Sequence, residues 1–152
     1  KAHYPKMQMV DDRFGVAESV DDSMRTANDL LSKHKDLKGI MSFGSQGPIG
    51  AGRAIDKRRK NAETCVFGTF TPGQGIKLLE KGAIDGGYIS NPKVAGQVFV
   101  QVATAMMNGE EIKTGVSIGD MGEIKVSGNT ILSDNPVNLN IENTKKLVEV
   151  GL

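Results

Sequence analysis

The chain has 152 residues, room for one well-buried core with a small appendage but not for two full domains. Charged residues make up 24% and hydrophobic ones 38%, with a formal net charge of +1. That balance lacks the excess of cations needed to hold a phosphate backbone, so nucleic acid is not the expected partner. The densest basic run, Lys57-Arg58-Arg59-Lys60, stands at a helix end, where cations complement the macrodipole. The single cysteine, Cys65, excludes an intrachain disulfide and is expected to pack within Cys65-Val66-Phe67. Lys1 to Lys6 reads as the end of a helix, so the chain looks like a piece of a longer one.

Met7–Val10 is a candidate strand, followed by a polar loop over 11–18 that is long enough to work on a ligand. Ser19 then caps a helix whose apolar positions Val20, Met24, Ala27, Leu31 and His34 recur at helical spacing, ending near Lys33 or His34. Gly39–Phe43 is the next strand. Pro48 takes the first helical position after the loop 44–47, and the helix runs to about Arg59. Its Gly50, Ala51, Gly52 and Ala54 suggest close packing on the sheet. Thr64–Thr69 repeats the pattern as a strand, with Thr71 as cap, Pro72 as first helical residue and Gly82 as terminator. A strand at Asp85–Ser90 follows. Asn91 and Pro92 then open the longest helix, whose stripe of Val94, Ala95, Val98, Phe99, Val102, Ala103 and Met106 ends at Asn108-Gly109. Strands separated by helices of about 10 to 17 residues require right-handed crossovers and a parallel sheet, hence an α/β doubly wound fold. Beyond Thr114 the helical period stops. Glu123–Val126, the turn Ser127-Gly128-Asn129 and Thr130–Leu132 give a β-rich C-terminal tail, and Asn143 is expected to cap a last helix over 144–148.

No enzyme signature is present. Gly47-Pro48-Ile49-Gly50-Ala51-Gly52 lacks the dinucleotide spacing, and there is no P-loop, H-E-x-x-H or G-x-S-x-G. His3 and His34 stand alone in sequence, which suits capping or surface roles better than catalysis or metal ligation. No catalytic residue, metal site or cofactor is expected. The strand-to-helix loops remain: Ser42 to Gly47, Thr69 to Pro72, and Ser90 to Pro92, with the loop carrying Arg13, Phe14 and Glu18. In a parallel sheet these open on one edge, where ligands bind. Sugars need hydrogen bonds to their hydroxyls and an aromatic platform for their C–H faces; Ser45, Gln46, Ser90 and Asn91 with Phe43 or Phe70 are the residue types for that task.

At these residues the chain resembles the C-terminal half of a type 1 periplasmic sugar-binding protein, the receptor of a bacterial ABC importer. The blocks that carry the likeness are Lys33-His34-Lys35-Asp36-Leu37-Lys38-Gly39-Ile40, Gly44 to Ala54, Val66-Phe67-Gly68-Thr69 and Gly82-Ala83-Ile84-Asp85-Gly86. The tail, with Lys113-Thr114-Gly115, Val126 and Asn140-Ile141-Glu142-Asn143, is similar to receptors for autoinducer-2 and for rhamnose. The resemblance implies two α/β lobes that close on solute, residues 1–89 belonging to the C-terminal lobe. Residues 90–152 would then hold a hinge crossing, a helix of the N-terminal lobe at Pro92 to Met107, and the β-rich tail. It further implies ligand contacts from Phe43, Gly44, Ser45 and Gln46, from Phe70 and Thr71, and from Ser90 and Asn91 at the hinge, with Glu18 where an aromatic is often found. Gly44 and Phe70 replace acidic or amide contacts common in the family, which points to a ligand that is smaller, less hydroxylated or differently oriented. The implied partners are a small sugar-like solute, the membrane permease and the N-terminal lobe itself; the implied place is the periplasm, or a lipid anchor on the outer face of the cell membrane. The competing reading is the effector-sensing domain of a LacI-like transcription regulator, which shares the fold. A signal peptide upstream would choose import, and a helix-turn-helix would choose regulation.

Overall fold

The computed structural model describes residues 3–119, 122–132 and 136–152. In chain order the elements are α1 (Val20–Lys33), β1 (Gly39–Ser42), α2 (Gly47–Arg58), β2 (Cys65–Gly68), α3 (Pro72–Glu80), β3 (Gly86–Ile89), α4 (Pro92–Met107), β4 (Lys125–Ser127), β5 (Thr130–Leu132), β6 (Val137–Asn138) and α5 (Ile141–Glu149). They fall into two compact units, Lys1–Tyr88 with Asn138–Leu152, and Ile89–Val137.

The first unit is built on a sheet of order β1-β2-β3-β6. β1 pairs with β2 and β2 with β3, both parallel, with Ile40 opposite Val66, Met41 opposite Phe67 and Phe67 opposite Gly86. Alternation is clean in β2: Val66 and Gly68 are buried while Cys65 and Phe67 are exposed. Helices form a layer in which α2 touches α1, α3, β1 and β2, and α3 touches α5. The core between that layer and the sheet includes Leu31, Ile49, Ile55, Val66, Phe70, Ile84 and Leu139.

The caps follow local chemistry. Ser19 Oγ accepts the Asp22 amide at 3.2 Å, and Pro48, Pro72 and Pro92 stand in the first turns of α2, α3 and α4. Gly82 takes the left-handed conformation (φ 66°) that ends α3, and its amide donates to Leu79 O. At α5 the expected cap is displaced. Asn140, not Asn143, caps the helix: its Oδ1 accepts the Asn143 amide at 2.8 Å, which adds the turn beginning at Ile141.

Three packing expectations are corrected. Met7–Val10 is exposed and enters no ladder among the described residues, because a strand pattern makes a strand only when a partner edge is beside it. The small residues of α2 serve a neighbouring helix and a turn more than the sheet. A Cβ on Gly50 would stand 2.5 Å from Val20 O and 2.6 Å from Ser23 Cβ in α1, and one on Gly52 would stand 2.8 Å from Ile84 Cγ1. Cys65 lies on the exposed side of β2 instead of in the core. Partial desolvation of its sulfur, and then hydrogen bonding to the Asp85 carboxylate, push the thiol up to about 11, so it is a poor nucleophile near neutral pH. Within the basic run, Arg58 reaches α1, donating to Asn28 Oδ1 at 2.7 Å and to Ser32 Oγ at 2.9 Å, and Lys60 pairs with Glu63.

In the second unit, Ala105, Ile118 and Ile124 form a core joined by Val102, Ile112, Val116, Val126 and Ile131. β4 and β5 are an antiparallel hairpin with Ser127 opposite Thr130, and Gly128 supplies the positive φ of its two-residue turn. The bridge Ser117–Glu123 precedes it. The predicted apolar stripe of α4 is buried only in part: Val102 packs on this unit's core and Ala95 and Val98 are half-buried. Ala105 is buried, whereas Val94, Phe99, Val100 and Met106 are more than half exposed.

Candidate functional site

Because β1 and β2 run parallel, the loops that leave their carboxyl ends, 43–46 and 69–71, open on the same rim of the sheet. They are held in register by the Thr69 amide, which donates to Ser42 O at 3.3 Å. The third wall of this rim is the end of the 11–18 loop. The Gln46 amide donates to Ala17 O at 3.0 Å, and the Ser23 hydroxyl of α1 donates to Val16 O at 2.6 Å, so the loop is tied to both helices that follow it. At its other end Asp11 pairs with Arg13 at 3.1 Å and with Lys33 at 3.2 Å. Those hydrogen bonds, Lys33 first, hold the Asp11 carboxyl below its ordinary value of 3.8.

The polar side chains of the rim are linked to one another. The Ser45 hydroxyl donates to Glu18 Oε2 at 3.2 Å, and Gln46 Nε2 donates to Ser45 Oγ at 3.4 Å. Gln46 stands at the N-cap of α2 in αR backbone and makes no cap bond with its side chain, which leaves the amide for Ser45. Gly44 is buried because nothing larger fits: an added Cβ would be 2.5 Å from Ala17 Cβ and 2.6 Å from Glu18 Oε1. Phe43 is 74% exposed, an aromatic face at the carboxyl end of β1.

Of the nine residues expected at the site, Glu18, Phe43, Gly44, Ser45 and Gln46 are thus brought together. Thr71 stands on the neighbouring loop, half-buried, with no cap bond from its side chain. Phe70 is corrected as an aromatic platform. It is fully buried, with Gly75 and Gly87 left without side chains against it; an added Cβ would meet Phe70 Cγ at 3.2 Å and Cε1 at 3.3 Å respectively. Ser90 and Asn91 follow β3 in the chain and belong to the second unit, where Asn91 Oδ1 caps α4 by accepting the Lys93 amide at 3.0 Å. Sequence reasoning missed Ala17, whose carbonyl and methyl anchor the loop against 44–46, since an alanine in a polar stretch carries no signal of its own.

This rim offers carboxylate, hydroxyl and amide groups beside an exposed aromatic ring, an arrangement for hydrogen bonding to a small polar solute. Among the described residues no group of three or more His, Cys, Asp or Glu is placed to hold a metal ion. A cleft of about 520 Å³ elsewhere in the unit is lined by Leu79, Gly82, Ile84, Asp85, Asn140, Ile141 and Glu142. Asp85 in it is engaged structurally, accepting the Val66 amide at 2.7 Å. No described helix is long and apolar enough to cross a membrane.

The fold has known counterparts. LsrB from Clostridium saccharobutylicum, solved in complex with AI-2, matches with a TM-score of 0.79 at 17% identity over 95% of this chain and 50% of that one. A sugar ABC transporter protein from Actinomyces odontolyticus matches with a TM-score of 0.72 at 23% identity, over 85% and 43%. An ABC transporter solute binding protein from Clostridium phytofermentas with bound L-rhamnose gives 0.71 at 14% identity, over 88% and 46%. At these identities the likeness is one of fold, and the chain spans about half the length of the structures it matches. The family model for the periplasmic binding protein domain matches residues 1–111. With a parallel sheet whose strand-end loops gather polar groups at one rim, and with that match over most of its length, the chain belongs to the periplasmic binding protein domain family.

Proposed function

We propose that the chain is part of a solute-binding receptor serving a bacterial ABC importer, and that it holds a small sugar or an AI-2-like molecule at the rim of Glu18, Phe43, Ser45 and Gln46. The observation that carries this reading is the linked set Glu18–Ser45–Gln46 beside exposed Phe43 at the carboxyl ends of parallel strands. Those groups satisfy one another at present, and a solute hydroxyl can take the place of either bond without leaving a polar atom unpaired. In this reading residues 1–89 belong to the carboxyl-proximal lobe. Ser90, Asn91 and Thr71 supply further contacts, with Ser90 and Asn91 at a hinge crossing that leads to a helix of the other lobe at Pro92 to Met107. The receptor works in the periplasm or on a lipid anchor outside the cell membrane and delivers its solute to a membrane permease. It binds without transforming what it binds.

Titrating the chain with L-rhamnose and with AI-2, and following backbone amide signals, tests the reading. Shifts gathered at residues 18, 43–46 and 69–71 are expected, with weak affinity because contacts from a second lobe supply much of a closed receptor's binding energy. Gln46→Ala removes one hydrogen-bonding group from a solute hydroxyl and is expected to weaken binding by about 1–3 kcal/mol. Signals at the rim that stay in place with both solutes would overturn the assignment.

A further inference from the structure

α3 begins with a competent cap that does not cap. Thr71 stands at its N-cap in extended backbone, yet its side chain makes no cap bond. Ser19, Asn91 and Asn140, in the same position of α1, α4 and α5, each accept a first-turn amide with the side chain. The amides that open a helix must find acceptors, and in α3 each can be followed. Pro72 has no amide hydrogen to place. Gln74 and Gly75 donate to Thr71 O at 3.1 Å and 3.0 Å. The remaining amide, that of Gly73, donates at 3.1 Å to Leu152 O, far along the chain. Every donor of the first turn is thus satisfied without Thr71 Oγ1.

The end of α5 brings Leu152 there. The Gly151 amide donates to Val148 O and the Leu152 amide to Leu147 O, both at 3.0 Å, and Gly151 has a φ of 90°. These paired bonds are the motif by which a left-handed glycine ends a helix and turns the chain aside. α5 runs antiparallel to α3: Lys145 pairs with Glu80 at 2.9 Å near the end of α3, and Leu152 reaches Gly73 at its start. Gly73 keeps the contact open, since an added Cβ would stand 3.3 Å from Leu152 O. Thr71 itself is fixed in place, half-buried between Phe70 and Pro72, both fully buried, on the loop that the Thr69 amide ties to Ser42 O. A threonine hydroxyl that accepts an amide of its own helix is turned into the helix end; one that does not can turn to a solute.

We propose that Leu152 O takes over the capping of α3, and that the Thr71 hydroxyl so released is the contact made to solute by the 69–71 loop. Leu152 is then a positioning residue, and the last turn of α5 sets solute affinity from outside the rim. The solute contact rests on the reading of the rim as a binding site; the exchange of caps rests on the hydrogen bonds alone.

The test combines Thr71→Val with removal of Gly151 and Leu152, read by urea denaturation. In the intact chain the hydroxyl caps nothing, so Thr71→Val is expected to change the unfolding constant by less than about twofold. In the chain ending at Val150 the hydroxyl turns back to the Gly73 amide, and the same substitution is expected to raise the unfolding constant about five- to tenfold. Gly151→Ala, strained at its φ, displaces Leu152 without shortening the chain and is expected to give the same result, which keeps the test open if the shortened chain does not fold. Equal effects of Thr71→Val in the two backgrounds, small or large, would overturn the proposal. Binding gives the readout that a merely structural Leu152 would not move. With L-rhamnose and AI-2 as probes, Thr71→Val is expected to weaken binding about threefold or more in the intact chain and to make no further difference once 151–152 are gone. Equal weakening in both backgrounds would overturn the positioning role. The expected stability pattern in a chain whose rim takes up neither solute would remove the receptor reading and leave the exchange of caps standing.

Discussion

Thr144 shows how much a single buried atom can decide. Its side chain is fully buried in α5, and its Oγ1 has no hydrogen-bond partner among the described residues. Valine has nearly the same shape and no hydroxyl to desolvate, so Thr144→Val is expected to hold or raise stability, by up to about 1–2 kcal/mol, in urea denaturation. A loss of more than that would mean that the hydroxyl is paired after all. Phe70 makes the opposite point about what a sequence reveals. It looks like a ligand contact when read along the chain, since it follows a strand. Whether an aromatic at a strand end is a platform or a core residue depends on what lies across from it, here Gly75 and Gly87, and nothing near Phe70 in the chain announces those neighbours.

Among the elements, the helices and their boundaries were legible because their signals are local. Ser19 and Asn91 accept amides within a turn of themselves, Pro48 and Pro72 fix the first-turn backbone, and Gly82 and Gly109 take the positive φ that ends a helix, whatever the rest of the chain does. Asn140 and Asn143 were harder to tell apart, being two competent caps three residues apart in sequence. Packing partners were not legible: the small residues of α2 announce a close approach without saying to what. Gly50 faces the backbone of α1 at Val20 O and Met24 N, with 2.5 Å and 2.7 Å to an added Cβ. Gly50→Ala should therefore push the two helices apart despite alanine's better helix propensity, lowering stability by about 1–3 kcal/mol in urea denaturation. A stabilised variant would show that the α1–α2 contact is looser than described. The strand pattern of Met7–Val10 was equally readable, but a ladder requires an edge that this stretch of chain does not itself provide.

For the molecule as a whole, pH should act through exposed carboxylates. Asp11, Asp22, Asp56, Glu63 and Glu142 are all held below their ordinary values, chiefly by hydrogen bonds to Lys33, Arg25, Lys81, Lys60 and Lys146 respectively. A carboxyl lowered in the folded state contributes stability above its ordinary value, 3.8 for Asp and 4.5 for Glu, and that contribution is lost as pH falls through the lower folded value. Stability to urea is expected to stay level from neutral pH into the range just above 4.5 and to decline below it, less steeply in 1 M salt, which screens exposed pairs to about 3 Å. A rise in stability over the same acid range would contradict these pairings. The order of the strands also bears on how the chain reaches this state. β1, β2 and β3 lie side by side in the order of synthesis, so each new strand meets the one just laid down, and only one helix's worth of chain must be gathered before the contact forms. β6 joins β3 only after the whole of 90–136 has been spanned, through the Leu139 amide on Gly87 O. From loop length, contacts among β1, β2 and β3 are expected to form before the long-range closure at β6, with the Leu139 amide among the last of the sheet to gain protection in pulse-labelled hydrogen exchange.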